Sequence, residues 1–91
     1  MYQIKPLQIQ NAKQLGLTIK PSNRGKYKID IFMNGEYITS GGDIRYKDYA
    51  TYLEEKGQEY ADKRRHLYRI RHRKEIENPN TRGYIIAKIL W

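Results

Sequence analysis

Seven basic residues stand within the twelve positions from Lys63 to Lys74: Lys63, Arg64, Arg65, Arg69, Arg71, Arg73 and Lys74. Inside that run Arg65, Arg69 and Arg73 recur at every fourth position, which on a helix makes a row with about 6 Å of rise between successive guanidinium groups. That interval is comparable to the spacing of phosphates along one nucleic-acid strand, and a guanidinium holds a phosphate or carboxylate through two parallel hydrogen bonds. The chemistry on offer is anion binding, with Lys63, Arg65, Arg69, Arg73 and Lys74 as the candidate contact residues. Two partners fit such a row. One is a nucleic-acid backbone; the other is an acidic protein surface, including the Asp43–Glu59 stretch of a neighbouring copy in a homo-oligomer. Readout of base identity is not expected, because no Asn or Gln stands among the arginines to address base edges and phosphate contacts carry no sequence information.

Catalysis finds little to work with. His66 and His72 are six positions apart, which places them about 120° apart around a helix, too far round to grip one metal ion together. The chain has no cysteine and two histidines, too few ligands for a structural zinc site, and no disulfide framework. No nucleophile elbow, phosphate-binding P-loop or His-Glu-x-x-His pattern is present. The expectation is a binding protein and not an enzyme, with no catalytic residue, cofactor or metal.

The elements that must carry the row are read from the same residues. Tyr27, Ile29 and Ile31 alternate with Lys26, Lys28 and Asp30, and Asn34-Gly35 then supplies the two positive-φ residues of a type I′ turn before Glu36–Ser40. This is a β-hairpin, which Gly41-Gly42 is expected to end. Asp48 can cap a helix over Tyr49–Lys56 that Gly57 stops. A longer helix is expected from Gln58 to Glu75, because nothing breaks it before Asn78-Pro79-Asn80. On its wheel Tyr60, Arg64, Leu67, Tyr68 and Arg71 share one side, facing the core, and the arginine row lies opposite. The apolar stretch Tyr84–Trp91 reads as a short terminal helix or strand. Residues 1–25, with Pro6 and Pro21, read as an extended arm holding one short strand near Gln14–Lys20, and residues 26–91 as a single small domain.

The fold class is therefore α+β: a β-hairpin, three strands if the arm pairs with it, packed with two to three helices, the longest of them rich in arginine. The expected core is Tyr27, Ile29, Ile31, Tyr60, Leu67, Tyr68, Ile85, Ile89 and Trp91. In 91 residues that core is shallow, since a domain of this size buries only about 60–65% of the surface its unfolded chain exposes. Hydrophobic residues at 38% and aromatics at 12% nevertheless exceed what a disordered tail would carry. The net charge of +8 is uneven. Lys5, Lys13, Lys20 and Arg24 stand in the first 25 residues without an acid, whereas Glu54, Glu55 and Glu59 make the middle mildly acidic. No long apolar run follows Met1, so neither a signal peptide nor a membrane span is expected.

A set of blocks carries a resemblance: Lys26-Tyr27, the Asn34-Gly35 hairpin, Gly41-Gly42-Asp43, Tyr46-Lys47-Asp48-Tyr49, the run Lys63-Arg64-Arg65-His66-Leu67-Tyr68-Arg69-Ile70-Arg71-His72, and the closing Ile89-Leu90-Trp91. In this order, over Lys26–Trp91, they resemble a family of small basic proteins encoded by large double-stranded DNA viruses of algae and amoebae and by some phages. The resemblance implies a viral protein located in the virion, and in the host cytoplasm or nucleus during infection. It implies no mechanism. The chain departs from the family's usual pattern at Gly41-Gly42, where a Phe-Gly step is common, and at Tyr52–Gly57, where a His-Lys-Asp is common. The function expected is a virion-associated module that contacts nucleic-acid phosphates through the Arg-rich helix; the alternative is a minor capsid protein that bridges other capsid proteins.

Overall fold

The computed structural model describes residues 2–91, and these form a three-stranded antiparallel sheet and five helices, the α+β class expected. In chain order the elements are α1 (Pro6–Gln14), β1 (Thr18–Pro21), β2 (Tyr27–Met33), β3 (Glu36–Asp43), α2 (Tyr49–Lys56), α3 (Gln58–Arg71), α4 (Arg73–Ile76) and α5 (Arg82–Leu90). They fall into two compact units, the first ending at Tyr46 and the second spanning Lys47–Trp91.

The first unit is built on the hairpin. Asn34 and Gly35 adopt φ of 52° and 82°, the pair of left-handed residues a type I′ turn needs to match the strand twist. β3 ends within the expected Gly41-Gly42-Asp43 segment, at Asp43, but not before the paired glycines. It runs through them, with Gly41 opposite Ile29 and Asp43 opposite Tyr27, because hydrogen bonding to the central strand outweighs the weak strand preference of glycine. β1 pairs with the other edge of β2, Thr18 opposite Phe32 and Pro21 opposite Ile29, giving the order β1-β2-β3. Pro21 fits there because an edge strand tolerates a missing donor.

Residues 2–25 thus hold a helix where an extended arm was expected and an edge strand, Thr18–Pro21, that overlaps the short strand expected near Gln14–Lys20, and the boundary drawn at residue 25 runs through the sheet. Pro6 misled that reading. It occupies the first turn of α1, where a proline costs no hydrogen bond and its fixed φ favours the helix. The Lys5 amide donates to Gln8 Oε1 at 3.0 Å, and Gln8 Nε2 donates to the Tyr2 hydroxyl at 2.8 Å. These bonds satisfy a glutamine that is buried alongside Ala12.

In the second unit Asp48, fully buried, caps α2 by accepting from the Thr51 amide at 3.0 Å and the Thr51 hydroxyl at 2.8 Å. Gly57, at φ 88°, ends α2 and turns the chain into α3, as the sequence implied. The single rod expected over Gln58–Glu75 is broken in two. At His72 the backbone leaves the helix; its amide still donates to the Tyr68 carbonyl at 2.9 Å, while the Glu75 and Ile76 amides turn to the His72 carbonyl and start α4. α5 begins at Thr81, whose hydroxyl accepts from the Tyr84 amide, and buries Ile86, Ala87, Ile89 and Leu90. A side chain at Gly83 would put its Cβ 2.7 Å from Glu75 Cβ, so α4 and α5 approach only because that position is glycine.

The expected core is correct for Ile29, Ile31 and Ile89, which are buried, while Tyr27, Tyr68, Ile85 and Trp91 are half-buried. Tyr60 and Leu67 are corrections. Both lie at the surface, and Ala61, with no exposure at all, takes the core position on α3.

Candidate functional site

The seating of α3 decides which of its side chains reach solvent. Its inward edge is formed by Ala61, Arg65, Tyr68 and His72, spaced by four, three and four residues, so the helix is turned by roughly 80° from the face that Tyr60 and Leu67 implied. Small and aromatic residues define the seam. Ala61 lets the helix come close, and the rings of Tyr68 and His72 fill the space below it.

Arg65 is carried inward by that rotation. Its guanidinium lies 4.1 Å above the Tyr49 ring, and its Nη2 is 3.2 Å from Asp62 Oδ1, an oxygen that also accepts the Tyr49 hydroxyl at 2.8 Å. The hydrogen bond to Asp62, together with burial, holds the Tyr49 phenol above its ordinary pKa. Arg64 lies over Tyr52 at 5.4 Å, with a buried Nε that makes no hydrogen bond.

The rest of the expected row stays outside. Arg69 is exposed and its Nη2 reaches the Trp91 main-chain oxygen at a long 3.4 Å. Arg73 sits on α4, beyond the break, 3.9 Å from Glu77 with both side chains 70% exposed, an arrangement worth little in water. Lys63 and Lys74 are exposed. The structure therefore scatters the five candidate residues over two helices and draws Arg65 into a contact within its own unit.

Beneath the helix runs an aromatic ladder. Trp91 stacks on Tyr68 with ring centroids 4.4 Å apart and 9° between planes, and His72 stacks on Tyr68 at 4.2 Å. Two rings this close to one ring cannot share a face, so Tyr68 lies between them. Tyr52 tilts against both Trp91 and Tyr60. Burial, with the charge of Glu75 added, raises the Tyr68 pKa. His72 is thus occupied by a stack and by Glu75, whose Oε1 is 3.4 Å from its Nδ1. No group of three or more metal-ligating side chains occurs among the described residues, and no helix is long and apolar enough to cross a membrane.

No family model, curated protein or solved structure matches this chain.

What the rotation leaves outside is a face that the sequence pattern did not announce. Leu67 is 41% exposed and Ile70 53%, three residues apart and so adjacent on the helix. Lys63 precedes Leu67 by four positions and Arg71 follows it by four, all within α3. Two aliphatic side chains are bracketed above and below by cations. The signal that would have found this face is the competing stripe Ala61, Arg65, Tyr68, His72, which is overlooked when the largest apolar residues are assumed to point inward.

Proposed function

We propose that this chain is a binding module, not an enzyme, that docks through the outward face of α3 onto a protein surface with an apolar centre and an acidic rim. The observation that carries this reading is the pair Leu67 and Ile70, exposed and flanked on the same helix by Lys63 and Arg71. Protein interfaces place apolar anchors at the centre and polar or charged groups around them. A phosphate backbone gains nothing from two aliphatic side chains, whereas a partner with a matching apolar pocket and carboxylates gains from both parts of the face. On the resemblance to the viral family, that partner is a capsid protein, and the chain is a minor component of the shell.

Phosphate contact is the rival reading. It is carried by the exposure of Lys63 on α3 and of Arg69, Arg71, Arg73 and Lys74, the last four of which crowd the α3–α4 junction where the carbonyl end of α3 favours cations. The two readings separate on incorporation into purified particles, measured as the ratio of this chain to the shell protein. Leu67→Asp with Ile70→Asp should keep the fold within about 0.5 kcal/mol of the parent, since neither residue is buried, and should abolish incorporation. Arg69→Ala with Arg73→Ala should leave incorporation nearly intact. The opposite ranking, accompanied by loss of nucleic-acid retention at low salt in the arginine pair, would select phosphate contact and end the docking proposal.

A further inference from the structure

We propose that the face of the first unit's sheet that carries Phe32 and Tyr37 binds single-stranded nucleic acid, with Arg24 and Lys20 holding phosphates and the two rings receiving bases. Strand alternation and register assemble this face. Lys20 lies opposite Asp30 and Asp30 opposite Ser40; one step along, Thr18 lies opposite Phe32 and Phe32 opposite Tyr37. The rings of Phe32 and Tyr37 meet edge to face, 6.0 Å between centroids. Each has a cation over it: the Lys20 ammonium 5.3 Å from the Phe32 centroid, and the Arg24 guanidinium 4.2 Å from that of Tyr37.

The guanidinium of Arg24 is oriented from two directions. Its plane rests on the Tyr37 ring, and its Nε donates to Asp30 Oδ2 at 3.3 Å, while the side chain remains 53% exposed. Asp30 itself is buried and already served, for the Ser40 hydroxyl donates to its other oxygen at 2.6 Å. An ionised carboxylate only accepts, so the Ser40 proton points to Asp30 and the Tyr37 hydroxyl, 2.8 Å away, donates to Ser40. Burial would raise the pKa of Asp30, but hydrogen bonds from Ser40 and Ser22 and the Arg24 charge bring it below its usual value, so the anchor stays charged. Arg24 is thereby held at its Nε and over the ring while half of its side chain stays open to solvent, an anion fork part of whose ordering cost is met before any ligand arrives.

Cations with rings under them fit a nucleic-acid strand better than a bare polyanion. A phosphate binds Lys20 and Arg24 where they stand, and the ring surface that they leave exposed, 44% of Tyr37 above all, accepts bases, each such stack being worth about tenfold in affinity. A duplex keeps its bases inside and offers only phosphates. An acidic peptide would pair with the cations and leave the rings unused.

The test measures binding of a labelled oligothymidylate to the full chain, with the matching duplex and inorganic polyphosphate as competitors, over a salt series. The oligothymidylate should bind tightest. Tyr37→Leu should weaken it about tenfold and Tyr37→Phe should not, because the ring and not the hydroxyl receives the base. Lys20→Ala with Arg24→Lys should reduce affinity further, and Lys20→Ala alone should lower the slope of log affinity against log salt by about 0.7. Circular dichroism checks that each variant folds, and Lys20→Ala removes no buried partner. Polyphosphate competing as well as the oligonucleotide, with Tyr37→Leu unchanged, would overturn the proposal. So would binding that survives all of these changes and is lost in Arg69→Ala with Arg73→Ala.

Discussion

In the first unit Arg24 lies 4.2 Å above Tyr37, and in the second Arg65 lies 4.1 Å above Tyr49, so the two halves of the chain repeat one contact. The rings beneath differ. Tyr37 is 44% exposed on an open sheet face, whereas Tyr49 is 8% exposed and gives its hydroxyl to Asp62, the same carboxylate that takes Arg65. An arginine over a buried tyrosine, sharing its acid, is cement for the α2–α3 pair. The same arginine over an open tyrosine, tied by one nitrogen to a buried acid, keeps 53% of its side chain exposed, which is what the proposed strand contact would use. The lesson is that charge density along the sequence does not locate a binding surface; the exposure of whatever the cation rests on does. The densest basic run in this chain gives up Arg65 to a half-buried contact, while Arg24, in the sparser cations near residue 20, makes its contacts with half of its side chain still exposed.

The largest effects should come from the two cores and test whether the units are held by different means. Ile31 has no exposure and fills the sheet side of the first unit, so Ile31→Ala should cost about 2–5 kcal/mol. Trp91 is half-buried, and Trp91→Ala should cost less than the ~3–5 kcal/mol of a fully buried aromatic, near its lower end. Chemical denaturation gives both numbers. Near-UV circular dichroism should separate them in kind, because only the tryptophan variant dismantles the Tyr68 stack. A Trp91→Ala protein with unchanged stability would mean that the ladder decorates the second unit without holding it.

The parts of this architecture that were legible in the sequence are those specified by neighbours. Asn34-Gly35 between alternating strands and Asp48 with Gly57 around α2 each state their structure within a few residues, and each is found as read. The failures share one cause, which is that tertiary fit was the deciding term. Nothing local says that Ala61 and not Tyr60 faces inward, since the wheel allows both and the closer approach permitted by a methyl group decides. Nothing local breaks the helix at His72, a residue with no intrinsic stop signal, where the ring stacks on Tyr68. The open face of the first unit was hidden for another reason: Arg24 and Tyr37 are distant in sequence, and only the β2–β3 register brings Tyr37 beside Phe32 and under the guanidinium.

A smaller effect probes the repeated contact directly. Tyr49→Phe removes a donor from the ionised Asp62; a hydrogen bond to a charged group is worth about 1.5–3 kcal/mol, and the 45% exposure of Asp62 lets water offset part of it, so the loss should fall near the lower end. Tyr37→Phe removes a donor from Ser40, a buried but neutral hydroxyl that keeps its bond to Asp30, and should cost about 0.5–1.5 kcal/mol. Thermal or urea unfolding of the pair measures the difference. Equal losses would show that the two arginine–tyrosine contacts are structurally equivalent and would remove the distinction drawn above.

The gentlest perturbation is pH, and it should act on the two units from opposite ends of the scale. In the first unit the carboxyls of Asp30 and Asp43 are both lowered. For Asp30 burial works against the shift and hydrogen bonds from Ser40 and Ser22 with the Arg24 charge prevail; for Asp43 the hydrogen bonds from Arg45 bring it to about 2. A lowered acid binds fewer protons folded than unfolded, so its contribution is complete above the unfolded value of about 4 and is lost as pH falls through the folded one. In the second unit the Tyr49 and Tyr68 phenols are raised, the first mainly by its bond to Asp62 and the second by burial. A raised phenol holds its proton longer folded than unfolded, so its contribution is complete below about pH 10 and disappears as pH climbs through the folded value. Amide exchange or site-specific probes followed from pH 2 upward should therefore show the sheet loosening on the acid side and the helices on the alkaline side. Asp30→Asn should flatten the acid limb alone and Tyr49→Phe the alkaline limb alone. If either substitution moved both limbs, the two units would be titrating as one body, and the contrast between the half-buried Arg65 and the more exposed Arg24 would lose the support of separate responses.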